Sequence, residues 1–386
     1  MARIVVAGYM IRFPMAGMLF AYLHYVLGLH RLGHTVAYLE ESGWSGACYD
    51  PTTRDHSDDP SGGIGAVRAL MSRWGVAAPV LYVDRDTGHV AGGDRRELER
   101  ILTDADLLIN LGGVCWLPEF GRCRRRALVD MDPVFTQLGR FGGKALEAHQ
   151  AYFSYGANIG QPGCPVPTGG IAWQPTVPPV VLEIWRDAAS AAPTSGVFTT
   201  VANWSAYGGI EHDGTHYGQK NEEFLRLIDL PRRTREPLEV ALSNVPAKDR
   251  TRFVRAGWRT CDGHSVSSEV DPYLAYVAGS RGEFSVAKNA YVRTRCGWFS
   301  DRSVCYLAAG RPVVLQDTGL GDWLEIGEGV LAYTTLDEAA ACLDRVGRDY
   351  ARHRRAARQI AAARFAYKTV LPRLLEVALD APAASA

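Results

Sequence analysis

The sequence predicts an α/β protein built as two doubly wound halves. Short apolar runs alternate with helical patterns along most of the chain. At 386 residues it is long enough for two or three domain-sized cores. The stretch Ala191-Ala-Pro-Thr-Ser-Gly196 reads as a linker between the halves. The expected organisation is a first domain over residues 1–190, a second over 191–350, and a helical segment with a tail over 351–386.

In the first half, Ile4–Ala7 suits a buried strand. The loop Gly8–Gly17 follows, then a helix over Met18–Leu32 that stops at Gly33-His34. Thr35–Glu40 is the second strand, which makes a βαβ opening with a right-handed crossover. A helix near Gly65–Trp74, a strand at Val80–Val83 and a helix near Arg95–Leu102 continue the alternation. Asp106–Gly112 is a strand closing on a glycine turn, and Ala127–Pro133 is another, ending on the carboxylate of Asp132. Ala151–Gly156 is the last strand of this half. Gln161–Pro179 holds six prolines and no periodicity. Such a loop is either a surface connector or a wall of the cleft between the halves. In the second half, Val197–Ala202 and Leu238–Leu242 are clear strands, followed by Phe253–Trp258 and Gly282–Ala287. Arg345–Leu379 has a helical pattern broken near Pro372, and a frayed tail starts at Ala381.

Composition points to a soluble enzyme. Lys plus Arg is 42 and Asp plus Glu is 42, so the formal net charge is zero. The missing basic excess argues against a nucleic-acid partner. No run of about 18 apolar residues exists, so no membrane span is expected, and the chain opens on a strand without a signal peptide. The eight cysteines include no Cys-x-x-Cys pair, which fits reduced thiols in a cytoplasmic protein. Association into a homodimer is left open.

The segment Arg295–Gly319 is the most informative. Ser300 is placed to cap a short helix, with Asp301, Arg302 and Ser303 in its first turn. Free N–H groups, a positive helix end and a neighbouring cation suit a diphosphate. Arg311-Pro312 stops the helix, and Val313–Leu315 suits a central parallel strand. Asp317-Thr318-Gly319 then falls at its carboxyl end, where open α/β sheets bind ligands.

This layout resembles the C-terminal donor half of GT-B glycosyltransferases, which use nucleotide-activated sugars. Arg295-Cys-Gly-Trp-Phe-Ser300 is similar to the His-Cys-Gly-Trp-Asn-Ser start of the plant and antibiotic donor signature. The Gly-Arg-Pro-Val-Val break and the later Leu324–Glu338 stretch resemble bacterial group 1 and CgeB-like transferases. The resemblance implies two Rossmann-like domains facing a cleft, with a C-terminal helix returning to the first domain. It also implies a hexosyltransferase that needs no metal or other cofactor. A UDP- or dTDP-linked sugar would be the co-substrate in the second domain, with a small-molecule or natural-product acceptor in the first. A nucleotide-sugar epimerase on the same fold and a non-catalytic nucleotide-binding module are the other readings. Gly297 and Cys305 stand where a Glu-x7-Glu pattern would fall, which leaves the stereochemistry open.

The resemblance also suggests roles for further residues. Asn203 and Ser205 follow the first strand of the second half and are candidate donor contacts, as is Lys220 at the head of a helix. The first loop lacks Gly-x-Gly-x-x-Gly spacing. It offers Arg12 to the leaving phosphate or the acceptor. An inverting transfer needs a general base. Asp132 and His24 are the candidates, His24 on a helix with Leu19, Leu23, Val26 and Leu27, and His149 and Glu119 are weaker ones. His212, Asp213 and His216 lie among glycines that spoil a helical ligand pair, so no metal is expected.

Overall fold

The computed structural model describes residues 1–139 and 146–383. The first sheet contains β1 (Arg3–Ala7), β2 (Thr35–Ser42), β5 (Val80–Asp84), β6 (Val90–Ala91), β7 (Leu107–Leu111), β8 (Arg126–Asp130), β9 (Ala151–Ser154) and β10 (Gln174–Pro175). A small hairpin, β3 (Cys48–Asp50) and β4 (Asp55–Ser57), stands apart. The strand order is β10-β9-β8-β7-β1-β2-β5-β6, and only the β5–β6 pair is antiparallel. Apolar β1 and β7 sit at the centre, covered on both faces, as their unbroken hydrophobic runs require.

The second sheet contains β11 (Phe198–Asn203), β14 (Leu238–Ser243), β15 (Arg259–Asp262), β16 (Gly282–Ser285), β17 (Val313–Gln316) and β18 (Val330–Tyr333). Its order is β15-β14-β11-β16-β17-β18, parallel throughout. A second hairpin, β12 (Ile210–His212) and β13 (Thr215–Tyr217), follows β11. The chain is thus an α/β fold of two Rossmann-like sheets.

The domains meet at a compact knot. Asn158 of the first domain donates through Nδ2 to Arg295 O at 2.9 Å, Gly319 O at 3.0 Å and Asp322 Oδ2 at 3.0 Å. Gly297 and Gly319 adopt φ of +81° and +87° there. A Cβ on either would collide with Asn158, so both the backbone and the close approach demand glycine.

The last helix, Tyr367–Asp380, returns to the first domain. Val180 N–H donates to Phe365 O, Tyr367 N–H donates to Val180 O, and Tyr367 and Leu371 pack on Gly28. The expected break at Pro372 does not occur. Pro372 lies in the second turn, where its missing N–H would have met the carbonyl of Lys368 near the helix start. The helical path is interrupted earlier, by a π-turn at Ala361–Phe365. Among the described residues, no helix is long and apolar enough to cross a membrane.

Candidate functional site

The carboxyl ends of β11, β16 and β17 converge below the start of the helix Asp301–Ala308. Ser300 is its N-cap by backbone geometry, but its side chain makes no cap bond, so it does not satisfy the first-turn N–H groups. Ser303 Oγ is buried without a partner among the described residues. It faces a small void shared with Ser285, Trp298 and Gln316. A buried hydroxyl left unpaired in a void at a helix N-terminus marks a place for a polar ligand.

Lys220 opens the helix Lys220–Arg226, which is held by a capping box between Gln219 and Glu222. Its ammonium lies 5.9 Å from the Trp298 ring centre and makes no ion pair among the described residues. Burial, reinforced by the charges of Arg302 and Lys288, pushes it down to about 7. Below the lysines, buried Glu223 accepts from Asn289 Nδ2 and Gln316 Nε2, each at 2.7 Å. This network fixes the helix Lys220–Arg226 and the segment following β16 over the strand ends.

The second cation is Lys288, just past β16. Its Nζ lies 2.8 Å from each oxygen of Asp132 and 2.7 Å from Tyr207 Oη. Tyr207 and Tyr291 also donate to Asp132. Asp132 belongs to the first domain and its partners to the second, so this cluster spans the cleft. The loop that carries Asp132 is set by buried Asp130, which accepts from Asp132 N–H at 3.0 Å and from Thr136 Oγ1 at 2.6 Å.

Asp132 therefore lies at the cleft, but both oxygens are occupied; in this conformation the carboxylate is not free to act as a base. His24 is displaced from that role altogether. It is buried, accepts Val181 N–H on Nδ1 at 3.2 Å and faces Cys305 across the domain contact. Burial, helped by Arg31, pushes its imidazole down to about 3, so it is a neutral packing residue. His149 precedes β9 and is buried, its ring packed on Trp116 and its Nε2 3.4 Å from Asn110 Nδ2. Arg12 is buried under Tyr9 and Trp44, and its guanidinium pairs with Glu40 at 3.5 Å and donates to Val114 O at 3.0 Å. It braces the first loop and does not present itself to a phosphate.

Several expected donor contacts are likewise committed elsewhere. Arg302 turns into the sheet, donating to Glu283 at 2.6 Å, Val201 O at 2.7 Å and Ser285 Oγ at 2.6 Å. Asp317 accepts from Arg295 at 2.8 Å and from Gly319 N–H at 2.9 Å, and Thr318 donates to Trp298 O at 2.7 Å. Asp317, Thr318 and Gly319 thus build the interdomain knot. Asn203 accepts from Asn244, and Ser205 donates to Tyr207 O. Glu119 pairs with Arg95 at the surface. His216 sits between Glu211 and Glu222 on the exposed hairpin. Among the described residues, no group of three or more His, Cys, Asp or Glu is arranged to hold a metal.

Sequence reasoning missed Lys288, Tyr207 and Tyr291. Lys288 was the detectable one: it directly follows the segment Gly282–Ala287, a cation just past the carboxyl end of β16. The tyrosines carry no such signal, because their hydroxyls reach Asp132 only through the interdomain packing.

No protein-family model and no curated protein matches the sequence. Solved structures do. An alpha-glucosyltransferase in complex with UDP superposes with a TM-score of 0.58 at 10% identity, over 98% of this chain and 99% of that one. HepE (Alr3699) of Anabaena, in complex with UDP and glucose, gives 0.57 at 13% identity, over 97% and 99%. A glycosyltransferase from Rickettsia africae gives 0.53 at 10% identity, over 97% of each chain. These support the GT-B type without singling out the group 1 or CgeB-like branch. They also correct one expectation. Other structures of the alpha-glucosyltransferase contain DNA together with UDP or UDP-glucose. Formal neutrality of a chain is thus no ground for excluding a nucleic-acid partner on this fold, since what meets a phosphate backbone is the local charge of one face. The chain has the GT-B fold, two Rossmann-like domains facing a cleft with the last helix returned to the first.

Proposed function

We propose that this chain is a glycosyltransferase that moves a hexosyl group from a UDP- or dTDP-linked sugar, without a metal. The supporting observation is the cationic corner of the second domain: Lys220, which has no ion pair among the described residues, Lys288 on Asp132, and an uncapped helix start, together at the carboxyl ends of parallel strands. A leaving diphosphate is stabilised by fixed cations and N–H dipoles, and these groups supply both. Lys288 reaches the diphosphate by leaving Asp132. Asp132, still held by Tyr207 and Tyr291, then has a lone pair on each oxygen open to the first domain's acceptor, where it serves as base for an inverting transfer. Domain closure excludes water and aligns the acceptor with the anomeric carbon. Our reading of the acceptor is a small molecule of natural-product type, and of the location a cytoplasm that keeps all eight cysteines as free thiols.

The test is a thermal-shift series with nucleoside diphosphates, followed by sugar nucleotides with small-molecule and DNA acceptors. UDP or dTDP raises Tm by linkage to the folded state. No shift with any nucleoside diphosphate at millimolar concentration removes the proposal. Conversion of a sugar nucleotide without acceptor would favour an epimerase.

A further inference from the structure

A cavity of about 820 Å³ opens beside the interdomain knot, lined by its Asn158, Arg295 and Asp322. Its walls come from the first domain, the second domain and the returning helix. The proline-rich loop supplies Gln161–Cys164 and Gln174–Val177, so this segment is a wall between the domains and not a bare connector. The cavity shares no lining residue with the void at Ser300 and Ser303 by the helix start. A ligand here is therefore not in the donor's place.

The lining has two characters. Phe153, Val177, Trp323, Val370 and Leu374 make an apolar floor, and Val377 at the rim is 39% exposed. Arg295, Arg364 and Arg373 supply the charge, against the single carboxylate of Asp322. Arg295 is already paired with Asp317 at 2.8 Å. Arg364 donates to Trp323 O at 2.6 Å, and among the described residues neither Arg364 nor Arg373 forms an ion pair. An otherwise neutral chain thus concentrates uncompensated positive charge beside exposed apolar surface. The volume falls within the usual range of about 300–1,000 Å³ for small-molecule pockets.

We propose that this cavity binds a small amphipathic anion, a carboxylate or phosphate on an apolar body, with the anion on Arg364 and Arg373 and the body on Trp323 and Leu374. Guanidinium forks match both anions, and the apolar floor selects against free inorganic ions. The experiment is a fluorescence titration of the full chain with anilinonaphthalene sulfonate, an aromatic anion that brightens in apolar sites. Saturable single-site binding is expected. It should weaken at least 10-fold in the double variant Arg364→Gln/Arg373→Gln and in Val377→Asp, with UDP binding unchanged. Competition identifies the head group: decanoate or decyl phosphate displaces the probe and decanol does not. Wild-type affinity in the double variant, equal displacement by decanol, displacement by neither anion, or displacement by UDP each overturns the proposal.

Discussion

The lysine at the head of the helix Lys220–Arg226 makes a quantitative prediction. In the free protein its ammonium titrates at about 7, because burial and the charges of Arg302 and Lys288 oppose it. The dipole of its own helix opposes it too. A bound diphosphate supplies the missing negative charge and returns the group toward its ordinary value of about 10.4. Above neutrality the free protein has then lost a proton that the complex keeps, so binding takes one up. From about pH 7 to about pH 9 this linkage weakens UDP binding by roughly 50-fold, on the order of 2 kcal/mol. Calorimetry in buffers of different ionisation enthalpy reads the uptake directly, and it approaches one proton near the upper end. Stability moves the other way. With the folded value depressed, the unfolded chain binds more protons between about 7 and about 10.4, so this group adds stability to the free protein as pH rises through that window. Lys220→Arg should flatten the affinity profile by staying charged, and Lys220→Met should flatten it while weakening binding at neutral pH. A flat wild-type profile without proton uptake, or a slope that survives in Lys220→Met, would refute the assignment.

Asp132→Asn should lower turnover by about 100-fold or more, the scale of a lost general base. UDP affinity should hold or rise, because Lys288 is released; a change confined to acceptor KM would instead mark an orienting role. Arg12→Met leaves Glu40 buried without its counter-charge and should cost about 3–5 kcal/mol in urea denaturation. That loss should shrink in acid, since a carboxyl raised by burial gains a proton on folding; an equal loss at about pH 5 and about pH 8 would contradict it. Sugar transfer should persist in chelator, and activity abolished there but restored by manganese would reveal a site around His212 and Asp213.

The alternation of strand and helix was legible because its signal is local. β1, β7 and β17 are short apolar runs bounded by polar turns, and their parallel pairing follows from the helices between them. The site was only partly legible, and Arg302 shows why. An arginine in the first turn of a helix at a strand's end reads equally well as a phosphate clamp or as the partner of a buried acid. The deciding residue is Glu283, 19 positions away in β16 and fully buried. Glu40 decides Arg12 in the same way, from inside β2. A glutamate inside an apolar strand is a readable signal that some cation is committed to it. Which cation depends on packing across the sheet, and that information is not local. Asp132 reads as a cleft residue because its carboxylate follows an apolar strand; its partners belong to the other domain, which no first-half pattern reports.

The two buried arginine–glutamate pairs also determine which charges are left for a ligand. Arg12 with Glu40 and Arg302 with Glu283 are each neutral as a unit and hold backbone at the carboxyl end of one sheet. A guanidinium withdrawn from such a pair would strand a carboxylate in the interior, at a cost of several kcal/mol, so neither is available to a substrate. The lysines differ. Among the described residues Lys220 has no counter-ion to surrender, and Lys288 is held by a carboxylate that is itself 22% exposed and can be rehydrated when released. A diphosphate entering this corner therefore trades partners with Asp132 and leaves the core pairs intact. The same exchange breaks one tie between the domains while the donor supplies another. Donor binding and the unloading of the candidate base are then a single electrostatic event, and its pH dependence enters through Lys220.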